Sequence, residues 1–265
     1  MAPFSDNSRG ALLMMASMAS FTFGDACVKA LGSAMPLSQI LVIRGMVATA
    51  FIVALAAWLG QLRLRLTRRD AGLVALRSLA EVAAAYFFLT ALIHMPIANV
   101  TALLQMLPLT VTLGSAVIFG DPVGWRRWIA IAIGFLGMLL IVRPGTDGFD
   151  AWSLYALIAV LGVTVRDLAT RRMSRDVPSL TVTAWASASV LAFALIWSGG
   201  QQWVEPTPRA AWLLAGTSLF IIGGYIFSVI VMRVGEISFV APFRYTGLVW
   251  ALILGWLAFG DWPDG

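Results

Sequence analysis

The stretch FGDPVG, Phe119 to Gly124, is answered 140 positions later by FGDWPDG, Phe259 to Gly265. With residues 95 to 122 set over 235 to 262, Val100 falls on Val240, Phe119 on Phe259, Gly120 on Gly260 and Asp121 on Asp261. A second register, shifted by 142, sets Asp25 over Asp167, Lys29 over Arg171 and Pro36 over Pro178. Both registers keep each residue at the same place within its apolar run, as two copies of one unit would.

The runs themselves give the fold class. Sixty per cent of residues are hydrophobic and only 12% are charged, with mean hydropathy +0.88, whereas soluble domains are about 45 to 50% apolar and about 25% charged. Nine runs occur, at about 11 to 32, 38 to 60, 71 to 93, 97 to 119, 125 to 142, 152 to 170, 180 to 198, 210 to 232 and 237 to 259. Their lengths suit helices crossing a ~30 Å hydrocarbon core and exceed the ~10 residues of a barrel strand. The chain therefore reads as an all-α integral membrane protein, a polytopic helical bundle. The first run is too long for a signal peptide and is read as a retained span.

The cations sort by loop. Arg63, Arg65, Arg68 and Arg69 share one connection, Arg126 and Arg127 another, Arg171, Arg172 and Arg175 a third and Arg233 a fourth, while the alternate connections hold only Arg143 and Arg209. The positive-inside rule then puts the N-terminus, residues 1 to 10, in the cytoplasm. The pI near 10.1 reports this topology, not a nucleic-acid surface, which would gather its charge in one patch. One cysteine, Cys27, and one histidine, His94, leave no metal cluster and no intrachain disulfide. No cofactor is expected.

The first copy spans 11 to 142 with five helices; an external linker follows at 143 to 151, and the second copy, 152 to 265, holds four. An odd unit makes the second copy enter from the opposite side, so FGDPVG turns in the cytoplasm and FGDWPDG outside. Inverted repeats recur in secondary transporters, where exchanging the conformations of the two halves alternates access. The first copy continues past its FGDP turn as Trp125 to Val142 and the second copy has no such continuation, so a tenth helix of the parent design is expected to be missing from this chain.

These features, together with Arg44 early in the second span (QILVIRG), resemble the drug/metabolite transporter superfamily in its EamA-type branch. GDACVKALG, Gly24 to Gly32, is similar to the first-helix pattern of S-adenosylmethionine uptake carriers, and riboflavin uptake carriers belong to the same branch. The resemblance implies a ten-helix basket in a bacterial-type inner membrane, with a central cavity for a small polar or zwitterionic metabolite, S-adenosylmethionine, riboflavin or an amino-acid-like cargo.

Ionisable groups at the bilayer centre cost roughly 2.5 to 3.5 kcal/mol each on insertion scales, so those within spans nominate the site. Asp25 and Lys29 lie four apart, and Asp167 and Arg171 repeat the spacing. The two pairs suit a gate at each end, or else the cations snorkel to the interfaces. Arg77 and Glu81 form a third pair, which is either structural or a proton and substrate site, Glu81 and Asp25 being the proton candidates. Arg244, two residues after the helix-breaking Pro242, has no acid on its own helix. Asn99, Thr101 and Gln105, with Tyr225, Ser228 and Tyr245, are candidates to orient a polar ligand. The tryptophans gather toward span ends, as in aromatic belts.

The leading reading is thus a secondary carrier with a small-molecule substrate and the lipid bilayer as partners, and no nucleic acid. The sequence leaves open proton coupling or exchange, and a homodimer. A non-transporting fragment or assembly partner is the alternative. An intramembrane enzyme fits less well, because HExxH and GxSxG are both missing.

Overall fold

The computed structural model describes residues 6–122, 124–142, 151–174, 176–231 and 237–261. Most of the linker read at 143–151, with Arg175, Arg233 and the end of FGDWPDG beyond Asp261, lies outside them. The described residues are helical with short connections: α1 Asp6–Leu31, α2 Leu37–Trp58, α3 Arg68–His94, α4 Ile97–Leu104, α5 Leu107–Phe119, α6 Trp125–Val142, α7 Ala151–Arg172, α8 Ser179–Ser198, α9 Pro208–Val231, α10 Ile237–Val240 and α11 Thr246–Leu254. A 3₁₀ turn, Ala241–Tyr245, joins α10 to α11, and a π turn, Gly255–Phe259, follows α11.

Each boundary has a local cause. Pro36, Pro96 and Pro178 stand as N-caps of α2, α4 and α8, where a missing N–H costs nothing. Thr67 caps α3 by accepting from the Asp70 N–H at 3.1 Å, as small hydroxyl residues do. The run 97 to 119, read as one helix, is broken at Gln105–Met106. Pro108 is the reason: it has no N–H for the Leu104 carbonyl, and its ring crowds that carbonyl. Pro242 breaks the ninth run likewise, within Ala241–Tyr245. Discontinuous spans of this kind, one in each copy, are what transporters built from inverted repeats use around their sites.

Eight of these helical stretches are long and apolar enough to cross a membrane, and α6 is a further apolar helix of 18 residues. Their outer faces carry exposed Trp58, Trp125, Trp212 and Trp256 toward span ends, where indoles meet the lipid interface.

The packing follows the repeat. α1 packs on α9 and α3 on α7, so the first helix of each copy lies against the third of the other; α2 packs on α8 and α4 on α11. Small residues permit the contacts, as is usual where apolar surface gains nothing by leaving lipid. A Cβ on Gly162 of α7 would stand 3.2 Å from the Ala80 carbonyl and from Ala84 of α3, so these two backbones touch. Ser17 donates to the Gly224 carbonyl at 2.9 Å between α1 and α9.

Buried polar clips repeat the symmetry at the two ends. Gln39, 2% exposed, donates to the Val204 carbonyl at 2.8 Å and accepts the Val204 N–H at 3.0 Å. Its partner under the 142 shift, Thr181, is fully buried; it donates to the Gln61 carbonyl and accepts the Arg63 N–H at 3.0 Å. Each second helix thus holds the loop before the third helix of the opposite copy. The end bearing Asp6, the near end, contains the 59–67 and 173–178 connections, and the far end contains 32–36, 95–96 and 199–207. Gly120 and Gly260 end their spans with φ +69° in both cases, a left-handed turn that favours glycine, and they lie at opposite ends.

Candidate functional site

Charged side chains gather midway along the bundle. On α3, Arg77 and Glu81 stand one turn apart, with Arg77 Nη1 3.6 Å from Glu81 Oε2. α7 brings Arg166 Nη1 to 3.4 Å from Glu81 Oε1, and Arg166 Nε bonds Asp167 Oδ1 at 2.9 Å. Glu81 therefore sits between two guanidiniums from different copies. Thr170 fixes the geometry: it accepts from Arg77 Nε at 3.1 Å and donates to the Arg166 carbonyl at 2.8 Å. The close backbone contact at Gly162 is what sets α3 and α7 near enough for these bonds.

Three further helices complete the cluster. Arg44 of α2 lies within electrostatic reach of Asp25 of α1 and of Tyr225 of α9, and Tyr225 in turn feels Glu81, Arg166 and Arg77. Tyr225 meets Phe21 edge to face, with ring centroids 5.7 Å apart. Five helices contribute, and Arg44, Arg77 and Arg166 balance Asp25, Glu81 and Asp167. The balance is incomplete at the level of atoms. Arg44 Nη1, Arg77 Nη1 and Glu81 Oε2 are buried and have no hydrogen-bond partner among the described residues. An unmet buried donor or acceptor costs about 1 to 3 kcal/mol, more when charged, so these atoms favour any polar group that enters.

The structure thus brings Asp25, Arg77, Glu81, Asp167 and Tyr225 together and adds two residues outside the candidate set. Arg44 has no acid within four positions on its own helix, and its partners lie on other helices. Arg166 is adjacent to Asp167, a spacing that puts two side chains on different helix faces in general; here the long guanidinium folds back across that gap. Lys29 stands at the far end: its ammonium does not bond Asp25 but donates to the Leu92 and Met95 carbonyls at 3.2 and 2.7 Å. Arg171 stands at the near end and pairs with Asp121 at 2.6 Å instead of Asp167.

The remaining candidates lie apart from the cluster. Asn99 is exposed at the start of α4, and Gln105, half-buried, caps its end through its backbone N–H. Arg244 and Tyr245 are exposed on the 3₁₀ turn; the Arg244 carbonyl accepts the Thr246 N–H. His94 stacks on Trp152 at 3.8 Å and bonds the Thr90 carbonyl through Nδ1 at 2.7 Å. An open groove between α2 and α9, lined by Ile43, Val47, Leu214 and Leu219, is apolar and holds none of these charges, so it offers a polar cargo little to bind.

The sequence matches the EamA-like transporter family over residues 8–143 and again over 150–265. It is 26% identical over 263 residues to the pseudopaline exporter CntI of Pseudomonas aeruginosa (strain UCBPP-PA14), covering 95% of this chain and 89% of that protein. It is 27% identical over 268 residues to the riboflavin transporter of Vibrio cholerae serotype O1, covering 97% and 87%. With the S-adenosylmethionine uptake transporter of Rickettsia prowazekii it shares 23% identity over 172 residues, covering 64% of this chain and 57% of that one. Matched in both halves and folded as a helical membrane bundle, the chain belongs to the EamA-like transporter family.

Proposed function

We propose that this protein is a secondary carrier of a small zwitterionic metabolite, working by alternating access between its two copies, residues 11–142 and 152–265. It sits in the cytoplasmic membrane with its N-terminus inside, since the near end carries the arginine-rich connections. The observation that supports the cargo class is the neutral, atom-deficient cluster: an Arg44 Nη1 with no hydrogen-bond partner among the described residues to receive a carboxylate, and a Glu81 Oε2 that Arg77 Nη1 approaches only to 3.6 Å, with no hydrogen bond, to receive an ammonium. A cargo of one charge alone would leave one of these groups unmet and the site charged, which is costly inside a membrane. The relatives' names, among them S-adenosylmethionine, which carries an α-amino acid group, agree with a metabolite cargo.

A thermal-shift series on the purified protein tests this, because a ligand that binds the folded state alone raises the unfolding midpoint. Amino acids and S-adenosylmethionine are expected to shift the midpoint, whereas the matching amines and the matching carboxylic acids alone are not. Arg44→Gln is expected to abolish the shift while the protein remains folded. Equal shifts with amine, acid and zwitterion would reject the cargo class. No flux of a binding zwitterion into proteoliposomes would reject the carrier.

A further inference from the structure

We propose that Lys29 and Arg171 are the two end clamps of this carrier, each tying the first helix of one copy to the glycine–aspartate turn of the other, so that transport releases one clamp while the other holds. The proposal rests on the alternating-access reading above. Its ground is a cross-copy equivalence at opposite ends of the bundle. At the far end the Lys29 ammonium lies 5.4 Å from the centre of the Phe259 ring and within the field of Asp261. At the near end the Arg171 guanidinium lies 5.5 Å from the centre of the Phe119 ring, and its Nη1 is 2.6 Å from Asp121 Oδ2. Lys29 and Arg171 are partners under the 142 shift, and the Phe-Gly-Asp turns under the 140 shift. Each cation therefore contacts the counterpart of its own copy's turn.

Contacts between copies are the ones that must break when the copies move apart; a pair within α1 or within α7 would travel as a unit and gate nothing. Ser115 completes the near clamp by accepting from Arg171 and donating to Asp121. The two ends differ in wetness. Around Lys29, Val28, Leu31, Leu92 and Ile97 are fully buried, whereas the Arg171 and Asp121 side chains are 54% and 34% exposed. Cation–carboxylate and cation–π attractions strengthen as water leaves. Closing an end thus tightens its own clamp, and opening it weakens that clamp, which gives each end two states.

The test uses side-specific labelling in the full chain reconstituted in vesicles. In a Cys27→Ser background, Tyr225→Cys places a thiol in the central cluster, and a membrane-impermeant maleimide is applied from either side. Lys29→Gln is expected to raise the far-side to near-side labelling ratio by about fivefold, and Arg171→Gln or Asp121→Asn to lower it by a similar factor. The exchange Asp121→Arg with Arg171→Asp is expected to restore the parent ratio, which a merely misfolded single variant would not allow. Shifts in the same direction for both ends, or no shift in a thiol reached from both sides, overturn the clamps and leave the carrier reading intact. A parent thiol reached from one side only overturns the carrier reading and the clamps together. Ser228→Cys, on the same helix, repeats the measurement if Tyr225→Cys fails to fold.

Discussion

Glu81→Gln removes the charge at the centre of the cluster while keeping the shape of the carboxylate, and it replaces one acceptor oxygen by an N–H donor. Glu81 is 3.4 Å from Arg166 Nη1 and 3.6 Å from Arg77 Nη1. At an effective dielectric of about 20, each pair gains roughly 4.7 kcal/mol of Coulomb energy. Most of that offsets the desolvation of the charges, so the measurable quantity is the cost of leaving two guanidiniums facing each other. Removing one partner of a buried pair costs about 3 to 5 kcal/mol. The Glu81 and Arg166 side chains retain 22% and 24% of their exposure, so water recovers part of this and a loss of about 2 to 3 kcal/mol is expected. Denaturant unfolding of the purified variant reads it directly. Adding Arg77→Leu should return at least 1 kcal/mol, since it removes one stranded cation, and the double-mutant cycle would show that coupling. A Glu81→Gln protein within about 0.5 kcal/mol of the parent would refute the ion network as described.

Three further outcomes follow from single contacts. Gly162→Val is expected to cost about 1 to 3 kcal/mol and to weaken ligand shifts, because its side chain would enter the Ala80–Ala84 backbone at 3.2 Å; an unchanged unfolding midpoint would show that α3 and α7 can separate freely. Gln39→Leu is expected to cost about 1 kcal/mol by removing its two hydrogen bonds to Val204, an exposed residue whose backbone groups water can partly re-satisfy, read in the same denaturant assay; Thr181→Val should behave alike at the other end. The Ser115 hydrogen bond, and after it Arg171, hold the Asp121 carboxyl below the usual carboxylate range. A depressed carboxylate stabilises the fold above its unfolded pKa and loses that contribution as pH falls through its folded value. The midpoint difference between parent and Ser115→Ala should therefore persist at neutral pH and vanish well below about pH 4; a difference that grows on acidification would show the bond works otherwise.

The spans were legible because a ~30 Å apolar slab demands runs of a given length, and their sense of traversal because Phe119-Gly120-Asp121 and Phe259-Gly260-Asp261 recur after an odd number of helices. Which ionic groups meet was legible for Arg77 and Glu81 alone, whose partnership runs along one helix. For the others the spacing of four left open a pair along one helix or a cation turned to an interface, and the pairs did not form: the Lys29 ammonium bonds the Leu92 and Met95 carbonyls and the Arg171 guanidinium bonds Asp121. A helix apolar around its whole circumference has no stripe to show which face turns inward. Its rotation is decided by the small residues that let a particular neighbour approach, and glycine at 162 does not announce Ala80 as its partner. The break at Pro108 was hidden for a related reason, since proline within a membrane helix is tolerated where neighbours re-satisfy the backbone.

The failure of the spacing rule has a mechanical sense. Two copies that each satisfied their own charges would form rigid blocks with an apolar seam, and nothing in lipid would favour one arrangement of the blocks over another, because apolar surface gains little by leaving hydrocarbon. Here Arg166 of the second copy completes Glu81 of the first, Gln39 of the first holds Val204 of the second, and Thr181 returns the contact to Gln61. Charge and hydrogen bonding are distributed so that each copy is incomplete alone. On the proposed alternating-access cycle, a cluster midway along the bundle serves both access states, whereas contacts at the two ends are the ones that opening and closing must change. A substitution at Glu81 should therefore alter stability and binding without preferring either end, while one at Lys29 or Arg171 should prefer an end with little effect on binding. Measuring unfolding, ligand shift and side-specific labelling on the same variants separates the cluster from the ends.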